Sequence, residues 1–64
     1  MINTNKLRGL IVEKGLSQSD VALALDINKN TFYRKMKRGV FNSDEINEMI
    51  KLLKIENPAE IFFA

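Results

Sequence analysis

The hydrophobic residues of this chain recur at helical intervals. Leu7, Leu10 and Ile11 follow an i, i+3, i+4 spacing, which predicts one apolar face on a helix over residues 5–14. A longer pattern of the same kind, i, i+3, i+4, i+7, comprises Ile46, Met49, Ile50 and Leu53. No run alternates β-branched and polar residues, and no Asn-Gly hairpin signal occurs. The pattern therefore predicts an all-α fold.

Capping signals divide the first part of the chain into two short helices. Thr4 or Asn5 is expected to cap the first helix, and Gly15 is expected to follow it in the left-handed conformation. Ser17 should cap the second helix, because Asp20 stands three residues later at the spacing of a capping box. Its inner face comprises Val21, Ala22 and Leu25.

A third helix is predicted after the turn at residues 26–27. Asn28 is a suitable cap, and the helix should run to about Arg38 and end at Gly39. Phe32 and Met36, spaced i, i+4, are interpreted as its buried residues.

Two more helices are predicted in the C-terminal part. Val40 and Phe41 are too apolar to remain in water, and we expect Phe41 to fill the side of the core. Ser43 should cap the fourth helix, whose terminal charges suit the helix dipole and are Asp44, Glu45, Lys51 and Lys54. The two acids are interpreted as a dipole feature and not as an acid–base dyad. Asn57 and Pro58 predict a short fifth helix, which should continue through Ile61, Phe62 and Phe63.

Composition narrows the possible functions. The 64 residues predict a single domain over 1–64, and a chain this short favours a local, all-helical design or oligomerisation. The absence of cysteine and histidine excludes a disulfide framework and removes the usual zinc ligands and the commonest general base. No apolar run approaches the roughly 20 residues that span a bilayer, and the N-terminus lacks a signal-peptide pattern. We therefore expect a cytoplasmic, non-enzymatic protein with no metal and no cofactor.

Charge is distributed unevenly along the chain. The net charge is only +2, yet residues 29–38 hold half of the ten basic residues and none of the eight acids. The basic residues of this segment are Lys29, Arg34, Lys35, Lys37 and Arg38. After residue 43 the balance reverses, with five acids against two lysines. Such a cluster alone is typical of a solvated face, but on an amphipathic helix it also suits a nucleic-acid groove.

Residues 15–39 carry an ordered set of motif positions. The segment opens with Gly15-Leu16-Ser17-Gln18, has a small residue at Ala22, an aliphatic residue after the turn at Ile27 and an aromatic residue at Phe32. In this order and spacing it resembles the helix-turn-helix of the phage Cro/repressor family, also called the xenobiotic-response-element family. The small phage-encoded branch of that family is resembled further downstream, in residues 31–36, 41–46 and 61–63.

Two positions depart from the family pattern. Asp26 stands where the family usually has a glycine with positive φ, and aspartate tolerates that region better than most residues. Met36 follows Phe32 at i+4, where much of the family has i+3, which rotates the last turn slightly.

The resemblance implies a lambda-repressor-like domain of five helices, with helices 2 and 3 forming the helix-turn-helix over residues 17–38. Helix 28–38 would enter the major groove of a double-stranded DNA operator while Phe32 and Met36 anchor it. The candidates for base edges are Lys29, Asn30, Tyr33 and Arg34. Gln18 would meet the phosphate backbone or a flanking base, and the expected backbone contacts are Ser17, Thr31, Lys37 and Arg38.

Asn28 and Tyr33 are also candidates for DNA contact, and each has alternative roles. Asn28 can cap the third helix, contact a base, or do both. Tyr33 can lie against a phosphate, stack on a thymine methyl group or cover Met36.

Three classes of function follow. The first is a sequence-specific transcriptional regulator of Cro/repressor type from a phage or prophage, associated with the bacterial nucleoid and controlled by concentration and operator affinity without a sensory second domain. The second is an antitoxin or anti-repressor that uses the same fold to bind a protein. The third, an enzyme, has almost no support in the sequence. For the first class we expect a homodimer, formed either in solution or only on DNA, with candidate interface residues Ile55, Ile61, Phe62 and Phe63.

Overall fold

The computed structural model describes residues 2–63, and this part of the chain contains five α-helices and no strand. The two end positions of the expected domain 1–64 lie outside the described residues. In chain order the helices are α1 (Thr4–Glu13), α2 (Gln18–Ala24), α3 (Lys29–Arg38), α4 (Ser43–Leu53) and α5 (Pro58–Phe62). The prediction of an all-α fold is confirmed.

All five helices contribute to one hydrophobic core. The buried apolar residues are Leu7, Ile11, Val21, Ala22, Phe32, Met36, Phe41, Met49, Leu53, Ile61 and Phe62. The predicted inner faces of α1, α3 and α4 are therefore confirmed, with Leu10, Ile46 and Ile50 half-buried at their edges. Leu25, predicted on the inner face of α2, is half-buried and packs against the core.

The N-terminal caps differ from prediction at two helices. Ser17 and Asn28 cap α2 and α3 as predicted. At α1 the cap is Asn3, whose Oδ1 accepts a hydrogen bond from the Lys6 N–H at 3.1 Å, so Thr4 and Asn5 already lie inside the helix. At α4 the cap is Asn42, not Ser43.

Glu45 explains the cap of α4. The Asn42 Oδ1 accepts from the Glu45 N–H at 2.8 Å, and the Glu45 carboxylate accepts from the Asn42 N–H at 2.9 Å. This reciprocal capping box requires a spacing of three residues, which Asn42 has and Ser43 does not.

Residues in the left-handed conformation end the first four helices. Gly15 (φ 76) and Gly39 (φ 71) follow α1 and α3 as predicted, and Asp26 (φ 58) adopts the positive φ expected of it. Lys54 (φ 51) does the same after α4, where the sequence predicted a lysine within the last helical turn. In each case the next residue donates its N–H to a carbonyl five residues back, which satisfies the helix end.

Val40 and Phe41, which follow α3, differ in their exposure to solvent. The Phe41 side chain is buried with its ring centroid 5.4 Å from that of Phe32, which confirms its predicted place in the core. Val40 is 64% exposed, so the expectation that it avoids water is wrong. Its N–H completes the end of α3 by donating to the Lys35 carbonyl, and this position directs its side chain outward.

The N-terminal and C-terminal helices meet. The Asn3 N–H donates to the Ile61 carbonyl at 2.6 Å, and Lys6 forms an ion pair with Glu60 at 3.6 Å. α5 ends at Phe62, one residue earlier than predicted, with Phe63 as its C-terminal cap. Pro58 occupies the first helical position as predicted, but the Asn57 side chain makes no capping hydrogen bond. Within residues 2–63 no helix is both long and apolar enough to cross a membrane.

Candidate nucleic-acid interface

A four-residue connection, residues 25–28, joins α2 to α3 and gives the pair a helix-turn-helix order. The Asp26 N–H donates to the Leu23 carbonyl and the Ile27 N–H to the Ala22 carbonyl, each at 3.0 Å. The positive φ of Asp26 makes this pair of bonds possible, and Ile27 then packs against the core. The chain re-enters a helix directly at Asn28.

Helix α3 has two contrasting faces. Phe32 and Met36 are buried, and the outward residues are Lys29, Asn30, Tyr33, Arg34, Lys37 and Arg38, all exposed. Thr31 is half-buried. The predicted division of the helix into an anchored side and an outward side is therefore confirmed.

Four of the five cations on α3 are exposed and form no ion pair with any described residue. The fifth, Lys35, differs because its ammonium group is paired with the Glu45 carboxylate of α4. The outward face thus carries an uncompensated positive charge, to which Lys35 contributes little.

Asn28 acts as a cap. Its Oδ1 accepts a hydrogen bond from the Asn30 N–H at 2.8 Å, which leaves its side-chain N–H groups free of described partners. The side-chain oxygen of Asn28 is therefore used by the helix cap, and the residue is exposed at the start of α3.

Tyr33 makes a contact that the sequence did not predict. The residue is 43% exposed, and its hydroxyl lies 3.3 Å from the Ser19 hydroxyl of α2. The spacing of 14 residues carries no local signal, so this bond could only be found in the folded chain. It joins a side chain of α3 to a side chain of α2.

The start of α2 is fixed by a capping box. The Ser17 hydroxyl accepts from the Asp20 N–H at 3.1 Å, and the Asp20 carboxylate accepts from the Ser17 N–H at 2.8 Å. Hydrogen bonding to the Asp20 carboxylate, by the Ser17 backbone N–H first and by the Ser17 side chain second, lowers the pKa of Asp20. Gln18, half-buried, occupies the first helical position beside them.

The four C-terminal candidates for a dimer contact do not form one surface. Ile61 and Phe62 are buried in this chain, so they belong to its own core. Ile55 is half-buried and, with Leu10 and Ile61, lines a groove of about 720 Å³ between α1 and residues 54–61. Phe63 is 73% exposed.

Comparisons with protein-family models, with curated proteins and with solved structures find no match to this chain. Among residues 2–63 no group of three or more acidic side chains is placed to hold a metal ion.

Proposed function

We propose that this chain is a sequence-specific DNA-binding protein of the lambda-repressor-like, helix-turn-helix type, acting as a Cro/repressor-type regulator of a phage or prophage. The observation that carries the proposal is the outward face of α3, which presents unpaired cations beside polar side chains and no acid. The major groove, about 12 Å wide, admits one α-helix.

The chemistry of the exposed residues supports the same conclusion. Arginine and lysine match the acceptors of guanine, and asparagine matches adenine, so Lys29, Asn30 and Arg34 suit base contacts. Ser17, Gln18 and Thr31 lie at the starts of α2 and α3, where backbone N–H groups favour phosphate. Lys37 and Arg38 at the other end of α3 suit the DNA backbone.

We further propose a homodimer on DNA. One helix contacts only a few base pairs, and a symmetric pair can bind two half-sites one helical turn apart. Phe63, an exposed phenylalanine at the end of α5, supports this proposal because a second copy could bury it.

Selection from a random duplex library tests the proposal. We expect enrichment of a short, two-fold symmetric site, and an affinity for it that falls steeply as salt is raised, because bound phosphates release counterions. A pool without enrichment would overturn DNA recognition. Salt-insensitive capture of one protein, with no duplex bound, would instead identify an antitoxin or anti-repressor.

A further inference from the structure

Glu45 is the only buried charged residue among residues 2–63, and its partner belongs to the helix that we propose to enter DNA. Its side chain is 8% exposed, and that of Lys35 is 28% exposed. A carboxylate out of water requires compensation by charge and hydrogen bonds, so its surroundings are strongly specified.

Each oxygen of the Glu45 carboxylate has its own donor. Oε1 accepts from the Asn42 N–H at 2.9 Å, and Oε2 accepts from the Lys35 Nζ. The backbone N–H of Glu45 is held in turn by the Asn42 side chain. The carboxylate is thereby fixed to the first turn of α4 and provides a rigid acceptor for Lys35.

Lys35 is also the residue through which α3 ends. Its carbonyl accepts from the Gly39 N–H at 2.8 Å and from the Val40 N–H at 3.2 Å. Both its backbone and its side chain therefore tie the C-terminal half of α3 to the segment that leads into α4.

Among the described residues, one other side-chain hydrogen bond holds α3 to a neighbouring helix: the Tyr33 hydroxyl lies 3.3 Å from the Ser19 hydroxyl of α2, so the polar side-chain link of α3 to α4 is the ion pair. Phe32 and Met36 hold the helix by apolar packing, which is not directional. The ion pair has a defined direction, and Arg34 and Lys37 lie within two residues of Lys35 on the outward side. A small rotation of α3 would displace these outward side chains from base edges.

We propose that Lys35 and Glu45 form a positioning pair that sets the rotation of α3 against α4 and thereby the sequence discrimination of the DNA-binding face. This inference rests on the proposed function. It assigns to Lys35 a role different from that of the neighbouring cations, because Lys35 would position the helix and not neutralise phosphate.

For the variant Glu45→Gln, simple electrostatics and the positioning role predict opposite changes in the affinity for the selected duplex. Glu45→Gln keeps an acceptor for the Asn42 N–H and makes the protein more positive, which by charge alone should strengthen DNA binding. The loss of positioning should instead weaken binding to the selected duplex while leaving binding to random duplex equal or stronger.

The experiment compares Lys35→Met with Lys37→Met, which remove the same charge from the same helix. Affinities for the selected and a random duplex are measured by fluorescence anisotropy across a salt series, at a temperature where circular dichroism shows every variant folded. For Lys35→Met and Glu45→Gln we expect the ratio of the two affinities to fall about tenfold with an unchanged salt slope. For Lys37→Met the ratio should stay constant and the slope should fall by about one.

Lys35→Arg restores the cation and should restore the ratio. A pair that only adds stability would lower the thermal midpoint in Lys35→Met and Glu45→Gln but leave the ratio at the wild-type value, and that result would overturn the proposal. A salt slope reduced by one in Lys35→Met would also overturn it, because Lys35 would then be a phosphate contact.

A measurement without DNA separates this proposal from the proposed function. In amide NMR spectra of the free protein, Lys35→Met and Glu45→Gln should shift resonances along residues 29–34, whereas Lys37→Met should not. If the wild type binds no duplex, DNA recognition fails while shifted resonances still support the positioning role. Unmoved resonances would contradict the pair itself.

Discussion

At the scale of single residues, two non-glycine residues hold the left-handed conformation that ends a helix. For an ordinary L-residue that conformation costs about 1–2 kcal/mol, and for aspartate less. Glycine avoids this cost but destabilises the folded state by about 0.5–1 kcal/mol, because it gives the unfolded chain more conformational freedom. Lys54 should therefore carry more strain than Asp26.

We expect Lys54→Gly to raise the free energy of unfolding by about 1 kcal/mol, and Asp26→Gly by no more than about 0.5 kcal/mol. Urea unfolding followed by circular dichroism measures both. Gly15→Ala is the matched control, because its φ is 76 and no atom beyond its two chain neighbours lies within 4 Å of the added Cβ. Gly15→Ala should lower the free energy of unfolding, because alanine is strained at this positive φ and meets no steric clash. Clear destabilisation by Asp26→Gly would show that the Asp26 side chain itself supports the turn.

Asp20 should make stability depend on acidic pH. Its pKa is lowered from the ordinary 3.8, first by the Ser17 N–H and then by the Ser17 side chain. The stabilisation is fully present above the unfolded value and is lost as pH falls through the lower folded value. Asp20→Asn should thus lower the thermal midpoint near neutral pH and flatten its decline in acid. Glu48→Gln, at an exposed carboxylate in the middle of α4, is the control, and an equal flattening there would contradict this role of Asp20.

The sequence predicts single residues well where the cause is local. The left-handed glycines and the Ser17 and Asn28 caps follow from residue type and spacing. The cap of α4 was misplaced by one residue because Ser43 and Asn42 are both suitable, and the contact that decides between them involves Glu45. Lys54 gave no signal, since lysine is uncommon in that conformation.

At the scale of the element, α3 has one side buried in the core and the other side exposed to solvent. Phe32 and Met36 alone predict which residues point outward, and the structure confirms that division. Two features of α3 could not be predicted, the Ser19–Tyr33 bond and the Lys35–Glu45 pair. Both join residues of different helices, and the helical period of α3 says nothing about its neighbours.

Substitutions on the outward side of α3 should distinguish residues that contact bases from residues that contact the DNA backbone. We expect Arg34→Ala to cost about 1–3 kcal/mol on the selected duplex and to relax preference at one base position. Lys37→Ala should weaken binding to every duplex and reduce the salt slope by about one. Competition binding with single-base variants of the selected duplex measures both effects. Equal losses on selected and random DNA for the two variants would contradict this division.

At the scale of the whole molecule, the Cα atoms have a radius of gyration of 10.3 Å, and one small core is assembled from every helix. Helical periodicity and capping signals together predicted the five helices and most of the core. They did not predict the contact of α1 with α5 through Asn3 and Ile61, or the groove beside them, because both depend on how distant segments meet. DNA binding and dimerisation remain predictions.

Phe63 provides the test of assembly. The sequence offered Ile55, Ile61, Phe62 and Phe63 as interface candidates, and the structure buries Ile61 and Phe62 and leaves Phe63 exposed. Because Phe63 is exposed in the monomer, Phe63→Ser should leave the thermal midpoint nearly unchanged while lowering the cooperativity of binding to a two-half-site duplex. Phe62→Ser, at a buried neighbour, is the control and should lower the midpoint. Titration of one-half-site and two-half-site duplexes measures the cooperativity. If Phe63→Ser retains full cooperativity, the two copies meet through another surface.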